Sequence, residues 1–281
     1  YAAYWYAKDV DKCPREDTRK ATYRNLYDAY KYAKDIDKGP REDTREVVCK
    51  EPEFAYMYAR YVDKGPREDT RKIACKDPRY AYEYAFYIDK GPREDTRKVA
   101  CKNPEYAFLY AKNVDKSSQE DTREIVCKNS KYAYFYAKDV DKGPREDTRK
   151  AACKDPEYAY LYAKDIDKNP RKDTRKAVCE DPEYAFFYAK IVDKCPKKDT
   201  REAVCKNSSY AHIAYLYALE VDKKSEINTR KAACKNIEFA YLYAVSIDKD
   251  FHEDTYNTVL GTAYEKKYKE SINSKIKEEI I

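Results

Sequence analysis

The chain has 281 residues, 42% of them hydrophobic and 39% charged, and a formal net charge of +6. It is too long for one round core, too charged for a membrane-spanning segment, and contains no run of about 18 apolar residues. A core that extends in one dimension suits these numbers, and with no signal-like leader ahead of the first repeat they predict a soluble protein of the cytoplasm. The chain opens in mid-repeat at Tyr1-Ala2-Ala3-Tyr4-Trp5-Tyr6-Ala7 without an initiator Met, so the natural protein is expected to extend further toward its N-terminus.

Nearly the whole length is one 26-residue unit copied about ten times, and one copy, Gly143 to Lys168, reads GPREDTRKAACKDPEYAYLYAKDIDK. Its threonine recurs at Thr18, Thr44, Thr70, Thr96, Thr122, Thr148, Thr174 and Thr200, then at Thr229 after three extra residues, and at Thr255. A constant period of this length marks a stacked array in which each unit buries its apolar face against its neighbours. The prediction is an all-α fold: an α-solenoid of about ten helix-turn-helix repeats over 1–256, closed by a C-terminal capping or docking helix over 257–281.

The first helix of each unit carries Ala-x-x-Tyr-Ala-x-x-(Val/Ile)-Asp-Lys, as in Ala55, Tyr58, Ala59, Val62, Asp63 and Lys64. Apolar residues at i, i+3, i+4 and i+7 define one helical face. The tyrosine recurs at Tyr6, Tyr32, Tyr58, Tyr84, Tyr110, Tyr136, Tyr162, Tyr188, Tyr217 and Tyr243. Sharing its face with alanines and a β-branched residue, it is expected to pack in the core; the competing reading is a ladder that stacks on a ligand. Asp77, Asp155 and Asp181 are N-cap candidates, with Pro78, Pro156 and Pro182 at the first helical position. Gly39, Gly65, Gly91 and Gly143 are expected to stop the helix, and the proline after each opens the next.

The second helix runs through Arg-Glu-Asp-Thr-Arg-Lys-x-x-Cys-Lys, acids first and lysines last, which suits the helix dipole. Its apolar stripe is thin: Thr70, Ile73 and Ala74 in one copy, Thr148, Ala151 and Ala152 in another. Such short helices are marginal alone, so stacking must stabilise them. An arginine ladder, Arg19, Arg45, Arg71, Arg97, Arg123, Arg149, Arg175, Arg201 and Arg230, is broken only by Tyr256. The expectation is that each guanidinium pairs with an aspartate of its own or the adjacent repeat. The alternative is a groove-facing row that reads phosphates or acidic peptides.

Eight of the ten cysteines occupy one repeat position: Cys49, Cys75, Cys101, Cys127, Cys153, Cys179, Cys205 and Cys234. Adjacent helices sit about 8–10 Å apart, beyond disulfide reach, so these read as semi-buried thiols in a reducing compartment. Cys13 and Cys195 replace the turn glycine and are the more exposed pair. With no Cys-x-x-Cys and only His212 and His252, no metal site is expected, and no cofactor.

The insertion near Ser209-Tyr210-Ala211-His212-Ile213 should lengthen one helix start or its entry loop. In the tail, Leu260 stands where Cys belongs, and Tyr264, Tyr268, Ile272, Ile276 and Ile280 recur every four residues as in an amphipathic helix. That helix is expected to cap the array, or else to dock another subunit.

Tandem helical hairpins of this kind resemble the α-solenoid superfamily of tetratricopeptide, HEAT and armadillo proteins over nearly the whole chain. The likeness is one of architecture, since the unit is shorter and lacks a Trp-x-x-Leu-Gly pattern. It is also loosely similar to short tandem helical repeats of bacterial and viral proteins in which Tyr-Ala and a charged turn recur. The resemblance implies an extended, curved binding surface and a scaffold role. No phosphate loop, nucleophile set or metal spacing points to an enzyme or to a small-molecule substrate. The leading expectation is therefore a scaffold for a protein partner, its candidate contact positions being the variable ones that follow the first-helix core: Met57, Glu83, Leu109, Phe135, Leu161, Phe187, Leu216 and Leu242. The alternatives are single-stranded RNA binding by the Arg/Tyr ladder, motivated by 32 tyrosines interleaved with basic residues, and a viral or bacterial effector aimed at a host protein.

Overall fold

The computed structural model describes residues 2–278, with side chains through 272, and every regular element among them is helical. The chain forms two compact units, Tyr1–Asp141 and Lys142–Ile281. Each is a row of helix pairs in which consecutive first helices lie side by side and second helices form the adjoining layer. This is the repeated architecture expected of an α-solenoid.

The first helix begins under an Asx cap. Asp77 Oδ1 accepts from the Arg79 and Tyr80 N–H groups at 2.8 and 3.4 Å, and Asp155, Asp181, Asn103 and Asn236 repeat the arrangement. Seven α-helical residues such as Pro52–Tyr58 then widen into a five-residue π turn, Ala59–Asp63, which recurs as Ala85–Asp89 and Ala163–Asp167. The apolar spacing of the repeat carries no sign of this turn. Residues five apart in an α-helix lie about 140° apart around the axis, whereas i→i+5 bonding brings them onto one face. Tyr58 and Asp63 thereby both face the preceding second helix, Glu42–Val48.

The expected glycine stop is corrected. The residue that turns left-handed at the end of each first helix is the lysine before the glycine: Lys38 at φ 54°, Lys64 at 56°, Lys90 at 57°, and likewise in ten copies. Gly65 and Gly91 have ordinary negative φ, and a Cβ built on either meets nothing within 4 Å. That is why Cys13, Ser117, Asn169, Cys195, Lys224 and Asp250 can replace the glycine. Each lysine sits at a helix C-terminus, where a cation is favoured and offsets part of the left-handed strain.

The second helix is seven residues, shorter than its sequence pattern suggests, and begins at an extended residue with no side-chain cap, as at Arg67 with φ −135° and ψ 145°. Its cap comes from the next first helix. The Tyr84 hydroxyl accepts from the Arg67 N–H at 2.9 Å and lies 3.0 Å from the Arg67 carbonyl and 2.9 Å from the Thr70 hydroxyl. The same contact to the extended residue joins Tyr32 to Arg15, Tyr58 to Arg41, Tyr110 to Arg93, Tyr136 to Gln119, Tyr162 to Arg145, Tyr188 to Arg171, Tyr217 to Lys197 and Tyr243 to Glu226. These nine tyrosines are fully buried, while Tyr6 is 52% exposed. Around each sits a small three-helix cluster, such as Tyr56, Ala59, Ala74, Tyr84 and Ile88.

The insertion is absorbed in a 3₁₀ turn, Ser208–Tyr210, ahead of Ala211–Tyr217, and the Thr200–Tyr217 contact holds at 2.8 Å. His212 lies between the rings of Tyr210 and Phe239. The tail helix, Glu265–Glu278, reproduces the first helix of a further unit: Tyr268 reaches Thr255 at 3.1 Å, and Tyr268 and Ile272 bury against Ala240, Ala244 and Val259. The Ile276 side chain and Ile280 lie outside the described residues.

Gly65→Ala should raise stability by about 0.4–1 kcal/mol, because the native φ suits alanine and the unfolded chain loses freedom. Gly261→Ala, at φ 74°, should lower it by about 1 kcal/mol. Urea unfolding of the two variants checks both signs.

Candidate functional site

The arginine ladder lies inside the stack. Arg45 Nη2 is 2.6 Å from Asp63, Arg97 Nη2 is 2.6 Å from Asp115, Arg149 Nη2 is 2.7 Å from Asp167 and Arg201 Nη2 is 2.6 Å from Asp222. Arg19–Asp37, Arg71–Asp89, Arg123–Asp141, Arg175–Asp193 and Arg230–Asp248 complete the set. Arg149, Arg175 and Arg201 hold their partners through both Nε and Nη2. Burial raises Asp89, Asp115 and Asp222 above the usual carboxylate range even with a guanidinium beside them. The ladder tyrosines from Tyr32 to Tyr243 are fully buried, and the arginines are buried (Arg19, Arg45, Arg71, Arg149) or half-buried beside their aspartates (Arg97, Arg123, Arg175, Arg201, Arg230).

The variable positions are seam residues. Met57, Glu83, Leu109, Phe135, Leu161, Leu216 and Leu242 are half-buried between consecutive first helices, and Phe187 alone is exposed, at 40%. Phe135 packs on Phe108 with centroids 6.0 Å apart, Phe187 on Tyr160 at 6.1 Å, and Glu83 pairs with Arg79 at 2.8 Å. They do not form a continuous exposed strip.

The exposed asymmetry lies in the π turns, at the two positions that follow the alanine after the buried tyrosine, and sequence reasoning passed over it. Five of the ten copies carry a polar pair there: Lys8-Asp9, Lys34-Asp35, Lys112-Asn113, Lys138-Asp139 and Lys164-Asp165. The pair links adjacent units: Lys112 Nζ bonds Asp139 at 2.7 Å, Asn113 donates to the Tyr82 hydroxyl at 2.9 Å, and the Tyr4 hydroxyl donates to Asp35 at 2.8 Å. Two consecutive copies instead read Arg60-Tyr61 and Phe86-Tyr87. The signal was available as a departure at aligned positions.

In these copies a cation–π contact replaces the ion pair. Arg60 lies 3.7 Å over the Tyr87 ring and 5.1 Å from the Tyr61 ring, and donates to the Tyr56 hydroxyl; Lys34 lies 4.9 Å from the Tyr61 ring. Burial pushes the Tyr56 phenol up to about 12, so it stays neutral. Phe86 and Tyr87 meet edge to face at 4.7 Å, and Phe86 stacks along Tyr82 at 5.9 Å. Tyr61, Phe86 and Tyr87 remain 40%, 39% and 43% exposed. The arrangement is an exposed aromatic patch with a guanidinium lying over one of its rings. A smaller break of the same kind, Ile191 and Leu219, occurs in the other unit.

Among the described residues no group of three His, Cys, Asp or Glu side chains could hold a metal, and no helix is long and apolar enough to cross a membrane. All ten cysteines are free thiols, Cys13 exposed and Cys195 half-buried. Known protein families, curated proteins and solved structures yield no match to the chain.

Replacing Arg149 with Met leaves Asp167 buried and unpaired and should cost about 3–5 kcal/mol, while Arg149→Met with Asp167→Leu should fall within about 1 kcal/mol of the parent. Equal losses in urea unfolding would refute the pairing energetics. Burial also pushes Cys49, Cys75, Cys101, Cys153 and Cys179 up to about 12. A raised thiol contributes stability that is complete below its ordinary value of about 8.5 and is lost as pH rises toward the folded value. At pH 8 a thiol-exchange reagent should therefore label Cys13 rapidly and these five only on unfolding, as mass spectrometry would show.

Proposed function

We propose that the chain is a non-enzymatic scaffold that binds a protein partner through the Arg60, Tyr61, Phe86 and Tyr87 surface. The observation that carries this reading is the exposure of three aromatic rings at positions where five of the ten copies place a lysine and an acid or amide. Folding does not demand them, because the polar pair serves the same junction elsewhere. Aromatic rings and arginine are the residue types that dominate interface energetics, and rings held by cation–π and edge contacts lose little entropy on binding. Nucleic-acid reading by the arginine and tyrosine ladders is the weaker proposal, since those groups hold the stack together. A bacterial or viral effector would use the same aromatic surface on a host protein.

The test restores the pattern of the other copies with Tyr61→Asp, Phe86→Lys and Tyr87→Asp, substitutions the fold already tolerates. Partners recovered by the parent from native extract should bind this variant at least about 30-fold more weakly, equivalent to one lost hot spot of about 2 kcal/mol. Unchanged recovery would sink the proposal.

A further inference from the structure

A second break in the repeat lies in the unit Lys142–Ile281 and concerns charge. The first-turn position of the second helix is glutamate at Glu16, Glu42, Glu68, Glu94, Glu120, Glu146 and Glu253, but lysine at Lys172 and Lys198. These two lysines open adjacent helices, Lys172–Val178 and Lys198–Cys205, which pack against each other, and the π turns that lead into them also touch. Each stands beside an exposed left-handed lysine, Lys168 or Lys194, and a further base, Arg171 or Lys197.

The acids nearby offset part of this charge and leave the bases in excess. Asp167 and Asp193 are engaged by Arg149 and Arg175. Asp173 and Asp199 each accept from the N–H of the following threonine at 2.9 Å. Arg171 and Asp173 are 3.9 Å apart, and Lys198 and Glu202 3.8 Å, at the outer limit of an ion pair. Lys168, Lys172, Lys194 and Lys197 have no ion-pair partner among the described residues.

We infer that the paired loops 168–172 and 194–198 bind the phosphate backbone of a nucleic acid. Two rows of cations on neighbouring helices match a line of phosphates, and lysine serves phosphate as a mobile point charge. The residues between the cations, Asn169, Pro170, Cys195 and Pro196, supply no large apolar group. A protein interface requires an apolar centre and a membrane-docking loop inserts one, whereas backbone phosphate binding is electrostatic throughout. The six cations, with no aromatic side chain among them, predict binding that depends on charge more than on sequence.

Fluorescence polarisation with a labelled 20-nucleotide RNA and a DNA duplex, from 50 to 300 mM salt, tests this. Six neutralised phosphates give a log–log salt slope of about −4 on the single strand. Lys172→Glu with Lys198→Glu restores the residue of the other copies, so the fold is kept; it should cut affinity at least about tenfold and make the slope shallower by about 1.4. Circular dichroism confirms that the variant is folded. Salt-insensitive or absent binding, or a variant that binds like the parent, overturns the inference. So does polyglutamate competing as well as RNA at equal charge, which would assign the loops to an acidic protein segment, or tighter binding to anionic phospholipid vesicles than to RNA.

Discussion

Each junction between copies depends on one hydroxyl. The second helix is too short to stand alone and starts at an extended residue whose side chain caps nothing, so the N–H of that residue has no local partner. The tyrosine of the following first helix fills this gap, accepting from the N–H and approaching the carbonyl of one residue while its ring fills the space between three helices. Leaving such a buried peptide unsatisfied costs about 1–3 kcal/mol, a large fraction of what a seven-residue helix can contribute. The neighbouring features follow from that reach. Alanines on either side let the helices approach closely enough for the phenol to arrive, and threonine supplies a third oxygen at the same point.

The π turn connects this contact to the charges. By bringing Asp63 onto the face of Tyr58, it places the carboxylate against Arg45 of the same preceding helix, so hydrogen bond and ion pair share one register. Because both charges are withdrawn from water, the pair contributes little net stability and much selectivity: any slip along the stack would leave two buried charges alone. The exposed lysine that follows each aspartate is left free of it, and the chain's surplus of positive charge is therefore presented at the helix ends.

The repeat, the helical hairpin, the Asx caps and the burial of the tyrosines were legible in the sequence, because each depends on spacing or on a local side chain. The π turn was not, since the pattern Ala-x-x-Tyr-Ala-x-x-Val fits an α-helix and the extra residue shows only in where Asp63 points. Glycine is the usual occupant of a left-handed helix end, which directs the expectation to Gly65, whereas Lys64 holds the conformation. The candidate site escaped for a different reason. Variability alone points to Met57 and its equivalents, but all of those side chains except Phe187 are half-buried. Arg60-Tyr61 and Phe86-Tyr87 change the charge of a junction at which Tyr61, Phe86 and Tyr87 stay exposed.

The three-residue insertion shows what such a junction allows. Although it lengthens the chain between Thr200 and Tyr217 from the usual separation of 14 to 17, the two hydroxyls meet at the same distance. Every internal unit thus ends in an identical socket and begins with an identical key, indifferent to the length of chain between them. Whole copies can be duplicated or lost during replication and the new neighbours will still fit, so copy number is free to drift while a surface confined to two particular units is carried along unchanged.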